Sequence, residues 1–546
     1  MNDEQESGPG TAKCPTAAPR HTRNRGATAV AGKIMPIAEA VGIIPDGATV
    51  ACAGFVGAGH PEALTAAIEA QFLADRRPGD LTLVFAAGQG DGAGRGLDHL
   101  AHEGLVKRVI GGHWGLCPGL ARLALGGKTE AYSWPTGVIG HLYRAIAAGQ
   151  PGVIAHIGLH TFVDPRHGGG KLNSRPAPDL VEVVKLRERE WLLYHAFPIN
   201  VALIRGTTAD ARGNLTMDNE ALLGEALALA QATRNSGGVV LAQAERAAIA
   251  GSLDPRLVRV PGILVDGVIL APREQHRQTF AEQLNPAYCG VVRALLPEPP
   301  PQRLRAPKII ARRAALELTP GTVVSVAEET AADLGAVLAE EGLADRVTMV
   351  LPSGPVGGIP ASGLSYGASA NPEALIDQPA AHDLLEGGGL DLAVLGMVHV
   401  DAGGNVNVSR FGSRLIGCGV FTDVSQSARQ VVFCGPFTER AETVALEGVL
   451  AVAREGEQHT FVRALEQVTF SGRYAAERAQ RVLYVTERAV FELRGGKLTL
   501  TELAPGIDLR RDVLAHMDFR PEIAADLQRM DPALFSREPM ALSARL

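Results

Sequence analysis

Val201-Ala202-Leu203-Ile204-Arg205-Gly206-Thr207-Thr208-Ala209-Asp210-Ala211-Arg212-Gly213-Asn214-Leu215-Thr216 lies without a gap over Leu392-Ala393-Val394-Leu395-Gly396-Met397-Val398-His399-Val400-Asp401-Ala402-Gly403-Gly404-Asn405-Val406-Asn407. Each stretch reads as a buried strand that runs into an Asp-x-x-Gly-Asn turn. A second pair repeats the theme: Leu81-Thr82-Leu83-Val84-Phe85-Ala86-Ala87-Gly88 parallels Val347-Thr348-Met349-Val350-Leu351-Pro352-Ser353-Gly354. Two such pairs predict two related domains in one chain.

Working outward, the strands are continuous apolar runs between glycine-rich turns, the pattern of a parallel sheet covered by helices on both faces. Helical spacing is read over Pro61–Phe72, Asn219–Thr233 and Ala327–Glu341, the last with Leu334, Val337 and Leu338 on one side. The predicted fold class is α/β, two open α/β domains in which ligands collect at the carboxyl ends of strands. Pro297-Glu298-Pro299-Pro300-Pro301-Gln302 can continue neither a helix nor a central strand and reads as the connection. The division expected is an N-terminal tail at 1–31, a domain at 32–296, a linker at 297–307, a domain at 308–520 and a C-terminal tail at 521–546. Gly, Pro, Thr and Arg without periodicity mark the first 31 residues as a disordered tail with no apolar signal segment.

A net charge of −7 over 546 residues, with no long Lys/Arg block, argues against nucleic acid as a partner. No apolar run reaches the roughly 18 residues needed to cross a bilayer. Cys14, Cys52, Cys117, Cys289, Cys418 and Cys434 are scattered without CxxC spacing, so neither a zinc ribbon nor a disulfide framework is expected, and a cytoplasmic location fits. His60, His113 and His160 lack ligand spacing, so no metal is expected. Cys52 and Cys418 sit among small and apolar residues and read as buried structural thiols.

The stretch Asp46-Gly47 to His60-Pro61 is a turn, a strand, the glycine loop Gly54-Phe55-Val56-Gly57-Ala58-Gly59, and a helix opening at Pro61. Glycines let backbone N–H groups approach a ligand, and a helix N-terminus favours an anion. This segment resembles the amino-terminal signature of family I CoA-transferases, with Ala53 where a glycine is frequent. The resemblance continues through Gly88-Gln89-Gly90-Asp91, Gly111-Gly112-His113-Trp114, Thr161-Phe162-Val163-Asp164-Pro165-Arg166 and Gly169-Gly170-Lys171-Leu172-Asn173. After the linker it resumes in Gly357-Gly358-Ile359-Pro360, Gly387-Gly388-Gly389-Leu390-Asp391, Gly404-Asn405-Val406-Asn407-Val408-Ser409 and Val432-Phe433-Cys434-Gly435.

The resemblance implies fused α and β halves and an enzyme of the acetate/propionate type that moves CoA between short-chain acyl-CoA and carboxylic acids. It implies CoA as substrate with no tightly bound cofactor, and a homo-oligomer. It places CoA and substrate against Gly54, Phe55, Gly57, Gly59, Gly88, Gln89, Ser353, Gly354, Gly357, Gly358, Gly388, Gly389, Gly404, Asn405, Gly417, Gly419 and Val420.

Such enzymes use a glutamate that attacks the thioester and becomes a glutamyl-CoA thioester. The equivalent position here is Pro352, which has no nucleophile. Three more departures are Val326-Ala327-Glu328-Glu329 in place of a glycine loop, His399 in place of a glutamine, and Val420 in place of the last glycine of Gly-x-Gly-Gly. Val420 is expected to strain a turn built for glycine and to displace an oxyanion donor. Glu328 and Glu329 read as first-turn acids serving the helix dipole, and Asp164 and Arg166 read equally as a structural turn or a ligand anchor. Two other readings stay open: a catalytically silent acyl-CoA-binding or assembly subunit, and a thioesterase in which His399 acts as base or is simply a hydrogen-bonded histidine.

Overall fold

The computed structural model describes residues 32–295 and 303–545; the predicted N-terminal tail and the prolines at the centre of the predicted linker lie outside them, as does the side chain of Glu329. Seven parallel strands form the body of the nine-stranded first sheet, which two short antiparallel strands complete: β1 (Thr49–Cys52), β2 (Leu81–Phe85), β3 (Val106–Gly111), β4 (Glu130–Ser133), β5 (Val201–Asp210), β6 (Val239–Ala248) and β7 (Gly267–Leu270). Their spatial order is β7-β6-β5-β1-β2-β3-β4. All ten residues of β5 are buried, as a central strand covered on both faces requires.

The second sheet begins with five parallel strands, β8 (Val323–Val326), β9 (Thr348–Met349), β10 (Leu392–Gly396), β11 (Gln430–Cys434) and β12 (Arg481–Val485), in the order β9-β8-β10-β11-β12. That order matches β2-β1-β5-β6-β7 strand for strand. The predicted repeat is therefore a repeat of topology. The sheet continues through β13 (Ala489–Arg494), β14 (Lys497–Leu503) and β15 (Glu522–Arg529). The predicted C-terminal tail thus supplies the edge strand β15 and buries Met530, Leu534, Phe535, Met540 and Leu542 in the second core.

Helix α1 (Glu62–Asp75) follows β1, α2 (Thr136–Ala147) follows β4, and α3 (Ala226–Asn235) joins β5 to β6. In the second half α4 (Glu328–Glu340) follows β8, while α5 (Gln378–Leu384) and α6 (Phe421–Ser427) flank β10. The helix predicted from Asn219 starts only at Ala226. Glu220 is drawn instead into a buried ion pair with Arg205, at 3.0 Å, with His276 at 3.4 Å, and the Asn219 N–H donates to Thr207 Oγ1. These tertiary contacts hold the two turns' worth of chain from Asn219 to Glu225 out of the helix. Among the described residues, no helix is long and apolar enough to cross a membrane.

The two Asp-x-x-Gly-Asn turns share one geometry. Asp210 accepts from the N–H groups of Arg212 and Asn214 and from the Asn214 amide, and Asp401 accepts from Gly403, Asn405 and the Asn405 amide. Asp210 is fully buried whereas Asp401 is partly exposed. Asp210→Ala is expected to lower unfolding free energy by about 1–3 kcal/mol, and Asp401→Ala by less, because fewer donors are orphaned away from water. Denaturant unfolding of both variants checks this order.

Candidate active site at the seam between the halves

The glycine loop after β1 is a packed turn. Phe55 and Ala58 exchange both backbone hydrogen bonds at 2.9 Å, and the Val56 N–H donates to Gly88 O at 2.8 Å, tying the loops after β1 and β2 together. A Cβ at Gly57 would lie 2.4 Å from Leu364 O and 2.6 Å from Phe280 N, so only glycine fits between those backbones. Phe55 faces the Tyr366 ring at 6.0 Å. Gln89 is fully buried and spends its amide internally, Nε2 donating to Cys52 O and Oε1 lying 2.7 Å from His60 Nδ1.

From the second half, the turn after β9 meets this loop. Leu351 joins Phe55, Val56, Ala87, Leu222 and Tyr366 in a small apolar cluster distinct from the two sheet cores, with Val420 packed on its margin. Pro352 and Ser353 are buried in the turn, where Ser353 Oγ donates to Gly367 O at 2.6 Å and the Gly354 N–H to Leu351 O at 3.0 Å. Gly357 continues it, its N–H donating to Met349 O at 2.7 Å, and a Cβ at Gly358 would lie 2.4 Å from Ala370 O.

A third strap is the Gly417–Val420 turn. Cys418 N–H donates to Ser133 Oγ, Gly419 N–H to Gly112 O, and Thr136 N–H to Gly419 O, so this turn is threaded onto the carboxyl ends of β3 and β4. Its neighbour His113 also crowds Gly88, where a Cβ would lie 2.6 Å from the ring Nδ1. Burial lowers His113 to about 4 and keeps it neutral. Val420 corrects the expectation of strain: its backbone is helical, φ −82° and ψ −8°, and it stands at the start of α6. A β-branched residue takes those angles freely.

The remaining candidates serve local structure. Gly404 and Asn405 belong to the Asp401 turn, and Gly388 (φ 105°) and Gly389 end the helix that includes α5. His399 pairs with Asn407 in a short hairpin and meets the Phe411 ring edge-on at 5.2 Å, where burial lowers its pKa against the charges of Glu439 and Glu466. Asp164 accepts from the backbone and guanidinium of Arg166, which makes that pair a turn lock. Cys52 and Cys418 are buried, and burial pushes both thiols up.

Sequence reasoning passed over Glu225. It stands at the start of α3, fully buried, with neither carboxylate oxygen in hydrogen-bonding geometry to a partner. Burial pushes it up to about 8, opposed more weakly by its own N–H and that of Gly54. Its neighbours Gly224 and Ala226 line a cavity of about 10 Å³ with Ala53, Gly54 and Arg205, at the point where strand order reverses between β1 and β5. That space is the size of a water molecule. A glutamate before an alanine-rich helix carries no signal of such burial in the sequence.

An unfolded glutamate releases its proton near 4.5. Stability contributed by the protonated folded form is therefore complete below that pH and is lost as pH rises toward 8. Glu225→Gln is expected to match the parent protein near pH 4.5 and to exceed its Tm increasingly up to pH 9, as read by thermal unfolding across that range.

A family model described as coenzyme A transferase matches residues 34–271. Over 512 residues the chain is 43% identical to caffeate CoA-transferase of Acetobacterium woodii, covering 93% of this chain and 98% of that protein. It is 40% identical over 511 residues to the acetate CoA-transferase YdiF of Escherichia coli strain K12, covering 92% of this chain and 95% of the relative. Among solved structures, the acyl-CoA transferase YdiF apoenzyme of E. coli O157:H7 superposes with a TM-score of 0.89 at 38% identity, covering 96% of this chain and 99% of that one. Identity at this level along both sheets and the seam between them shows that the chain belongs to the coenzyme A transferase family.

Proposed function

We propose that this CoA-transferase exchanges CoA between thioesters of short-chain carboxylic acids and free acids at the seam, acting as a homo-oligomer in the cytoplasm. The observation that supports this reading is similarity over more than nine-tenths of the chain to transferases named for acetate and caffeate. A close structural relative, YdiF, has also been solved as a thioester complex with CoA, with a TM-score of 0.88. The turn Leu351–Gly358, the loop Gly54–Gly59 and the strap Gly417–Val420 are the groups assigned to hold the thioester.

Pro352 stands where the family's glutamate is expected, and its ring offers no atom that can take an acyl group. The covalent glutamyl-CoA intermediate is therefore blocked at this position, while binding of the thioester against the glycine turns is retained. The helical backbone of Val420 leaves the third strap in ordinary geometry, so the departures that bear on catalysis are Pro352, the Val326–Glu329 loop and His399.

The test is incubation of purified protein with acetyl-CoA and a panel of short carboxylic acids, with every CoA species followed by mass spectrometry. The parent protein is expected to bind acetyl-CoA and to form new acyl-CoA slowly. Pro352→Glu is expected to raise that rate on the order of 10²-fold or more, since removing a covalent nucleophile elsewhere costs up to about 10⁶. Fast exchange by the parent protein, unchanged by the substitution, overturns the assignment of Pro352. Net release of free CoA in place of exchange favours hydrolysis.

A further inference from the structure

Where α2 of the first half meets α5 and α6 of the second, His382, Glu386 and Asp423 are gathered so that one potential ligand atom from each lies within 4.8 Å of the others. His382 and Glu386 are one helical turn apart and share a hydrogen bond of 2.9 Å between Nδ1 and Oε1. Asp423 arrives from the first turn of α6. His382 is 0% exposed and Asp423 1%, yet among the described residues His382 Nε2 and both Asp423 oxygens have no hydrogen-bond partner. The Gly137 and Val138 N–H groups at the start of α2 favour the charged form of Asp423 without either reaching hydrogen-bonding geometry.

Orphaned groups of this kind are costly, and a cation beside the Asp423 carboxylate would satisfy both of its oxygens. His141 of α2 stands next to them, its Nε2 3.6 Å from Glu386 Oε2. Gly137 lets the cluster pack directly on the backbone of α2: a Cβ there would fall 2.1 Å from Glu386 Oε1 and 2.2 Å from His382 Nδ1. We propose that His382, Glu386 and Asp423 bind a divalent cation of the zinc class, with water in the fourth position, and that the ion fastens α5 to α6 beneath the first turn of α2.

The donor chemistry fits. Imidazole nitrogen with two carboxylates suits borderline divalent ions, and bonds of about 2.0–2.1 Å place ligand atoms roughly 3.3–3.5 Å apart, so the site contracts modestly on filling. The 2.9 Å contact between His382 Nδ1 and Glu386 Oε1 is close to the spacing of two ligand atoms on one ion, so a metal bound by both takes the place of this hydrogen bond. The predicted absence of a metal rested on His60, His113 and His160, none of which belongs to this group.

The full chain, stripped with a chelator and dialysed, is loaded with Zn²⁺ or Co²⁺ and its metal content measured. The expected result is about one ion retained per chain, visible ligand-field absorption with Co²⁺, and a Tm raised by Zn²⁺ by about 2 °C or more. Asp423→Asn and His382→Gln are expected to lose both retention and the Tm response while keeping the metal-free Tm within a few degrees. Should either variant fail to fold, the parent protein decides alone. No retained metal, with a Tm indifferent to Zn²⁺, overturns the proposal and leaves a water-bridged polar cluster; retention undiminished in both variants overturns the assignment of ligands.

Discussion

Backbone-to-backbone contact between the halves is the constraint on which the site depends. Gly57 has Leu364 and Phe280 within 2.6 Å of where a side chain would begin, and Gly417 has Gly112 O at the same distance. Neither place tolerates a methyl group, so the turns that build the seam are fixed by what cannot be added to them. Strand order then does the rest. Because β1 and β8 occupy the same place in their sheets, their following loops emerge at equivalent carboxyl ends, where open α/β sheets present their ligands.

Most of the fold was readable because parallel strands covered on both faces must be continuous apolar runs, and β5 and β10 are of that kind. The Asp-x-x-Gly-Asn turns were equally plain, since an aspartate closing on two following N–H groups is local chemistry. The start of α3 was misplaced because the ion pair of Glu220 with Arg205 is a tertiary event with no local trace. The end of the chain was set apart too early, because Glu522–Arg529 is mostly exposed and lacks the apolar alternation that marks a strand.

At the site, the assignment of Pro352 rests on family resemblance, and the backbone angles of Val420 were not legible, because residue type does not reveal φ. Glu225 gave no warning, because burial of a lone carboxyl depends on what packs around it. The same holds for Asp423. Only the four-residue spacing of His382 and Glu386 is local enough to read from the chain.

The three straps have a consequence for how the polypeptide can be divided. Cys418, Gly419 and Thr136 join the halves by hydrogen bonds made far from the connection between the two sheets. Covalent continuity therefore contributes effective concentration and not geometry. Two fragments cut between the sheets carry all the complementary surface required to find one another, and the single chain is one of two solutions to the same docking problem.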